Sequence, residues 1–121
     1  MPGSSVTTYI DYSGAEEKRI RWLWTASAGG SVTAVATTKK MLGGILHRVD
    51  IVPSSATPPA ALYDVQLLDV NAVDTLSGSG LDLPAASTRS LQPEVAFFGT
   101  LRLSITNAGN AKNGNVYAYW R

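Results

Sequence analysis

Apolar and polar residues alternate with a period of two along much of this 121-residue chain. The clearest stretch begins at Glu17. In it, Ile20, Trp22 and Trp24 alternate with Arg19, Arg21 and Leu23. This period is typical of a β-strand with one apolar face. Residues 97–106 repeat the pattern, and residues 116–121 form a last alternating stretch.

Turn-forming residues separate these alternating stretches. Gly29-Gly30 and the Asn- and Gly-rich residues 107–115 suit tight reversals, whereas the three prolines of residues 53–60 exclude regular structure. Turn signals at intervals of 8–12 residues indicate a sandwich or a barrel. We predict a single-domain, antiparallel, all-β sandwich of jelly-roll type with about seven to eight strands. Facing sheets would bury Trp22, Trp24, Leu67, Leu103 and Ile105.

Residues 41–52 are predicted to form a long extended stretch. Strict alternation places Ile45, His47, Val49 and Ile51 on one face of this strand. Gly43-Gly44 indicates a bulge or a bend in the strand.

The domain boundary is predicted near the start of the chain. Residues 1–8 are small and polar and read as a flexible arm, so residues 9–121 would form the sandwich.

Composition and charge narrow the classes of partner. Ten basic and nine acidic residues give a net charge of +1, so no field of one sign is available to hold a nucleic acid. Neither a signal-peptide pattern nor an apolar run of membrane-spanning length is present. We therefore expect a soluble protein that binds neither nucleic acid nor membranes.

Candidate catalytic and metal-binding residues are few. The chain has one histidine, His47, and no cysteine, which leaves little for general acid–base or zinc chemistry. Asp69, Asn71 and Asp74 could bring three oxygens around an ion, but their spacing does not match an EF-hand and is also that of an ordinary turn. We predict a protein without enzymatic activity, metal or cofactor, and leave open whether this turn binds an ion.

Aromatic residues near the two ends of the chain are the candidate partner interface. Tyr117 and Tyr119 lie opposite Trp120 in the alternation, and Tyr9 and Tyr12 cluster near the start. Tyrosine and arginine are common anchors of protein interfaces. The predicted interface comprises Tyr9, Tyr12, Tyr117, Tyr119 and Arg121. A sugar-stacking platform is the alternative use of such a surface.

Two blocks of the sequence resemble small virion proteins of tailed phages. They are Leu-Tyr-Asp-Val-Gln-Leu-Leu-Asp-Val-Asn at residues 62–71, followed by Asp-Thr-Leu at 74–76, and the strand and turn of residues 99–116. The members with a known role are capsid decoration (cement) proteins or other accessory structural subunits. The resemblance covers about a third of the chain, and it carries no catalytic residues.

The resemblance implies a β-sandwich or jelly-roll subunit on the outer surface of a capsid. Such a subunit would be made in the host cytoplasm, bind the major capsid protein or other virion proteins, and form a dimer or trimer. A neck, tail or fibre-base adaptor and a lectin-like binding module remain alternatives. The loops at residues 53–60 and 78–89 leave the docking surface open.

Overall fold

A computed structural model describes residues 5–12, 18–36, 43–85 and 87–121, with side chains for residues 18–32, 43–85 and 87–121. The described residues form nine β-strands. In chain order they are β1 Ser5–Tyr12, β2 Lys18–Thr25, β3 Val32–Ala36, β4 Gly44–Pro53, β5 Asp64–Leu68, β6 Arg89–Leu91, β7 Val95–Phe97, β8 Arg102–Thr106 and β9 Asn113–Trp120.

The strands form two antiparallel sheets. The large sheet has six strands in the order β1-β2-β9-β4-β6, with β7 also paired to β4, and the small sheet has the order β3-β8-β5. From β2 to β9 the chain passes back and forth between the sheets, which is the wrapping of a jelly roll. The predicted antiparallel jelly-roll sandwich is confirmed. The strand number exceeds the prediction because β6 and β7 are strands of only three residues.

The core lies between the two sheets. Trp22 in β2, Val116 in β9 and Ile51 in β4 form one buried row across the large sheet, and Leu103 and Leu67 face it from the small sheet. All five residues predicted for the core are buried. Trp24 finds room because Gly114 lies opposite it: a Cβ at Gly114 would lie 3.2 Å from the indole and 2.9 Å from the Val52 carbonyl oxygen.

Strand β4 does not follow the predicted alternation. Leu46 pairs with Trp120 and Arg48 pairs with Tyr119, so His47 is an extra residue that forms a bulge. Leu46 is therefore buried, and Ile45 is 40% exposed. The prediction is right for Val49 and Ile51 and wrong for the residues before the bulge.

The N-terminal prediction also needs correction. Residues 5–8, part of the predicted flexible arm, form the first half of β1 and pair with β2. Val6, Thr7 and Thr8 are β-branched, and β-branched residues favour strands once a partner strand such as β2 is available. Residues 1–4 of the predicted arm lie outside the described residues.

Candidate functional site

The outer face of the large sheet holds two of the predicted interface residues, Tyr117 and Tyr119 of β9. Strand pairing places Arg19 opposite Tyr119, and Tyr119 opposite Arg48. The neighbouring row joins Arg21, Tyr117 and Asp50. Because residues opposite each other in a sheet share a face, both tyrosines lie among arginines.

Two arginines lie over the two tyrosine rings. The Arg19 guanidinium carbon is 5.5 Å from the centre of the Tyr117 ring, and that of Arg48 is 5.2 Å from the centre of the Tyr119 ring. These distances are within the range of a cation–π interaction. We call Arg19, Arg48, Tyr117 and Tyr119 the Arg–Tyr face. Both tyrosines are half-buried.

Hydrogen bonds fix one side of this face. Arg48 donates to Asp50 at 3.0 Å from Nε and forms a salt bridge of 3.0 Å from Nη2. The hydroxyl of Ser90 in β6 also donates to Asp50, at 2.7 Å. Asp50 thereby links β4 to β6 and orients the Arg48 side chain over the Tyr119 ring.

Two of the remaining predicted interface residues are on β1, where Tyr9 takes a register position in the row of Arg21 and Tyr117, and the third lies beyond β9. Tyr9 is opposite Arg21 in the strand register and Tyr12 is opposite Lys18, but their side chains are outside the described residues. Arg121 is exposed just beyond β9, where its backbone exchanges two hydrogen bonds with Ile45. The structure thus brings Tyr117 and Tyr119 together and places Arg121 at the end of the sheet.

His47 has a structural setting at the bulge of β4. Its ring is half-buried and its centre lies 6.4 Å from the centre of the Tyr119 ring. Within the described residues there is no group of three or more His, Cys, Asp or Glu side chains that could hold a metal ion. The surroundings of His47 are therefore those of a residue that packs against the Arg–Tyr face.

The acidic turn after β5 uses its carboxylates internally. Asp69 accepts hydrogen bonds from the backbone N–H groups of Asn71 (2.8 Å) and Val73 (3.0 Å). Asp74 accepts bonds from those of Leu76 and Gly78, each at 3.0 Å. Such hydrogen bonds from a carboxylate to nearby backbone N–H groups are typical of tight turns. An ordinary turn is one of the two interpretations that the sequence pattern allows.

A second surface was missed by sequence analysis. Val70, Val73 and Phe98 lie at one end of the sandwich and are 56%, 57% and 78% exposed. A Cβ at Gly99 would lie 2.9 Å from Val70, which shows that the turn after β5 approaches the segment after β7. The two segments are far apart in sequence, and only the exposed apolar residues themselves could have signalled this patch.

The phenol of Tyr63 is a polar group buried in the core between the sheets. The Tyr63 ring is 6.4 Å from the Trp24 ring, and its hydroxyl makes no hydrogen bond with the described residues. Burial raises the pKa of the Tyr63 phenol to about 12 because the charged form loses its hydration.

The described residues consist of β-strands and the turns and loops between them. They form no pocket, and they contain no helix long and apolar enough to cross a membrane. The Arg–Tyr face is the part of this surface in which aromatic rings, arginines and a carboxylate contact one another.

Comparison with known proteins gives little further guidance. No protein-family model matches the sequence, and no curated protein matches it. A solved structure of an RmlC-like cupin protein from Desulfovibrio desulfuricans aligns with 93% of this chain and 80% of its own chain, at 9% identity and a TM-score of 0.36. A similarity of this size assigns neither a family nor an activity.

Proposed function

We propose that this chain is a non-enzymatic structural protein of a phage virion, a decoration subunit that binds the major capsid protein. The Arg–Tyr face is the observation that carries the proposal. The resemblance of residues 62–76 and 99–116 to tailed-phage virion proteins supplies the class of partner. The site of action would be the outer surface of the capsid.

The composition of the Arg–Tyr face suits a protein partner. Tyrosine and arginine are enriched among the residues that contribute most to protein binding, because each combines a large contact area with hydrogen-bonding groups. Tyr117 and Tyr119 also lose little rotational freedom on binding, since their rings already pack beneath Arg19 and Arg48.

The surroundings of the face also suit a flat surface such as a capsid. The Arg–Tyr face spans three adjacent strands, β2, β9 and β4, and no pocket interrupts the described residues. A flat docking surface gives modest affinity per copy, which a decoration protein multiplies through its many sites. The described geometry therefore favours repeated, shallow binding over capture of a small ligand.

The test uses phage particles that lack this protein. Purified chain should bind them and raise the temperature at which they release DNA. The double variant Tyr117→Ala/Tyr119→Ala should weaken binding at least about 30-fold, the effect of losing roughly 2 kcal/mol at an interface centre. Binding is measured by co-sedimentation, and folding of each variant by its thermal transition.

Phe98→Ala is the matched control, because it removes an exposed aromatic ring outside the Arg–Tyr face. It should leave binding within about twofold, a change of less than half a kcal/mol. Loss of binding in Phe98→Ala with retention in the double variant would move the docking surface to the end of the sandwich and contradict our assignment. Failure of wild-type chain to bind particles would contradict the capsid role.

Copy number separates the decoration role from an adaptor role. A lattice subunit is present at hundreds of copies per particle, whereas a neck or tail ring holds on the order of a dozen. Quantitative mass spectrometry of purified virions should give the larger number. Saturable binding to a glycan array would instead favour the lectin-like alternative.

A further inference from the structure

The two sheets have four edge strands, and these differ in how they are protected from pairing with another strand. At one edge of the large sheet, β6 and β7 are three residues each and are separated by a break that contains Pro93. In the small sheet, β3 is short and has a register irregularity between Val32 and Val35. Short, interrupted or bulged strands are the common means of preventing edge pairing.

The remaining edge of the small sheet, β5, is covered by the chain that follows it. Thr75 donates its backbone N–H to Leu67 at 2.8 Å, and Leu83 donates to Tyr63 at 2.9 Å. The Val65 N–H donates to Gly80 at 2.7 Å. The backbone groups of this edge are therefore used within the molecule.

Within the described residues, the edge formed by β1 has none of these features. Strand β1 pairs along all eight residues with β2, and β2 is its one strand partner among the described residues. Its sequence, Ser-Val-Thr-Thr-Tyr-Ile-Asp-Tyr, has no proline, lysine or glycine and a single charged residue. A regular edge of this length presents a row of backbone donors and acceptors to another strand.

We infer that β1 pairs with β1 of a second copy, so that two large sheets join into one continuous sheet across a two-fold axis. Antiparallel pairing of two identical edges supplies hydrogen-bond partners to the backbone groups of both copies. It leaves no free β1 edge, so the assembly stops at a dimer. The pairing uses backbone hydrogen bonds, as in other cases of strand addition.

The symmetry restricts the register of this pairing. A two-fold axis between antiparallel strands stands perpendicular to the sheet, so each residue faces a partner residue on the same side of the sheet. The axis must then pass between one residue and the same residue of the second copy. Near the centre of the strand, this residue is Thr8 or Tyr9. In both registers Asp11 faces a short uncharged residue, Ser5 or Thr7, and so avoids the opposing charge of its own copy.

The dimer has a consequence for capsid binding. An axis perpendicular to the sheet keeps the outer faces of both copies on one side, so both Arg–Tyr faces point the same way. One dimer would then bind a lattice through two faces, which strengthens attachment without new contacts. The dimer itself does not depend on the proposed capsid role.

The first test is the mass of the purified chain in solution. Sedimentation equilibrium over a range of concentrations should give twice the monomer mass of 12.8 kDa. A monomer at all concentrations or a trimer would overturn the proposal. Because no capsid is present, this result is independent of the binding experiment above.

The second test uses the absence of cysteine from the sequence. Thr8→Cys and Tyr9→Cys each place one thiol near the axis, where opposite Cα atoms lie about 4.5–5.5 Å apart, a spacing that allows a disulfide. One of the two variants should form a covalent dimer at least about ten times faster than Ser55→Cys in an exposed loop, since only one residue lies on the axis. Equal rates in all three variants would show that the dimer is not formed through β1.

Discussion

The two faces of the large sheet are built from the same strands in opposite ways. On β9, Val116, Ala118 and Trp120 point into the sandwich and are buried, whereas Tyr117 and Tyr119 point outward beneath arginine side chains. The inner face is held by close packing of apolar groups across two sheets. The outer face is held by contacts between side chains on one surface.

This difference separates stability from binding. A residue of the inner face is surrounded on all sides, so its removal leaves a cavity. A residue of the outer face touches its neighbours on one side and can contact a partner on the other. We therefore expect substitutions on the inner face to unfold the protein and substitutions on the outer face to change its binding.

The largest effect is expected for adjacent residues of β2 that point to opposite faces. Trp22→Ala should lower the free energy of unfolding by about 3–5 kcal/mol, because a fully buried indole leaves a large cavity. Leu23→Ala should lower it by less than about 1 kcal/mol, since Leu23 is already 40% exposed. Chemical denaturation of both variants measures the difference. Equal losses would mean that the two faces contribute equally to stability.

A smaller effect, dependent on pH, is expected for the buried phenol. Burial raises the pKa of Tyr63 to about 12 from 10.0, so the unfolded chain loses this proton at a lower pH than the folded chain. The stability that the neutral phenol gives is complete below about pH 10 and is lost as the pH rises toward 12. The loss is about 1.4 kcal/mol per pH unit over that interval.

Tyr63→Phe isolates this contribution. The variant should be at least as stable as the wild type at pH 8, because its ring keeps the contact with Trp24 and no unbonded hydroxyl is buried. Its advantage should widen between pH 10 and pH 12 in denaturation experiments. A difference between the two proteins that is constant across this range would contradict the raised pKa.

The smallest effect is expected within the Arg–Tyr face. A double-mutant cycle with Arg19→Gln and Tyr117→Ala should give a coupling energy of about 0.5–1 kcal/mol, the size of an exposed cation–π contact. Thermal denaturation of the four proteins provides the measurement. A coupling energy above about 2 kcal/mol would mean that the outer face is a main source of stability. The proposed division between a stabilising inner face and a binding outer face would then be wrong.

The sequence predicted those parts of the fold that depend on local alternation. Trp22, Trp24, Leu103 and Ile105 are buried as the period-two pattern indicates, because β2 and β8 are regular strands. The bulge at His47 reverses the alternation within β4, and Gly43-Gly44 pointed to the wrong position for it. A bulge depends on the partner strand, which a local pattern does not contain.

The candidate site was predicted in part for the same reason. Tyr117 and Tyr119 follow from the alternation of β9, but Arg19 and Arg48 reach them only through the pairing of β2 and β4 with β9. The exposed patch at Val70 and Phe98 likewise depends on two loops that meet in space. Pairing and loop contacts are long-range properties, so composition and period do not predict them.

The position of β9 between β2 and β4 has a consequence for protein synthesis. During translation β2 and β4 leave the ribosome long before residues 113–120, so the two halves of the large sheet have no central strand to join them. Pairing over such sequence distances is slow, and the waiting strands expose apolar surface. The apolar inner faces of β2 and β4 therefore stay without their central strand until β9 has been made and closes the sheet.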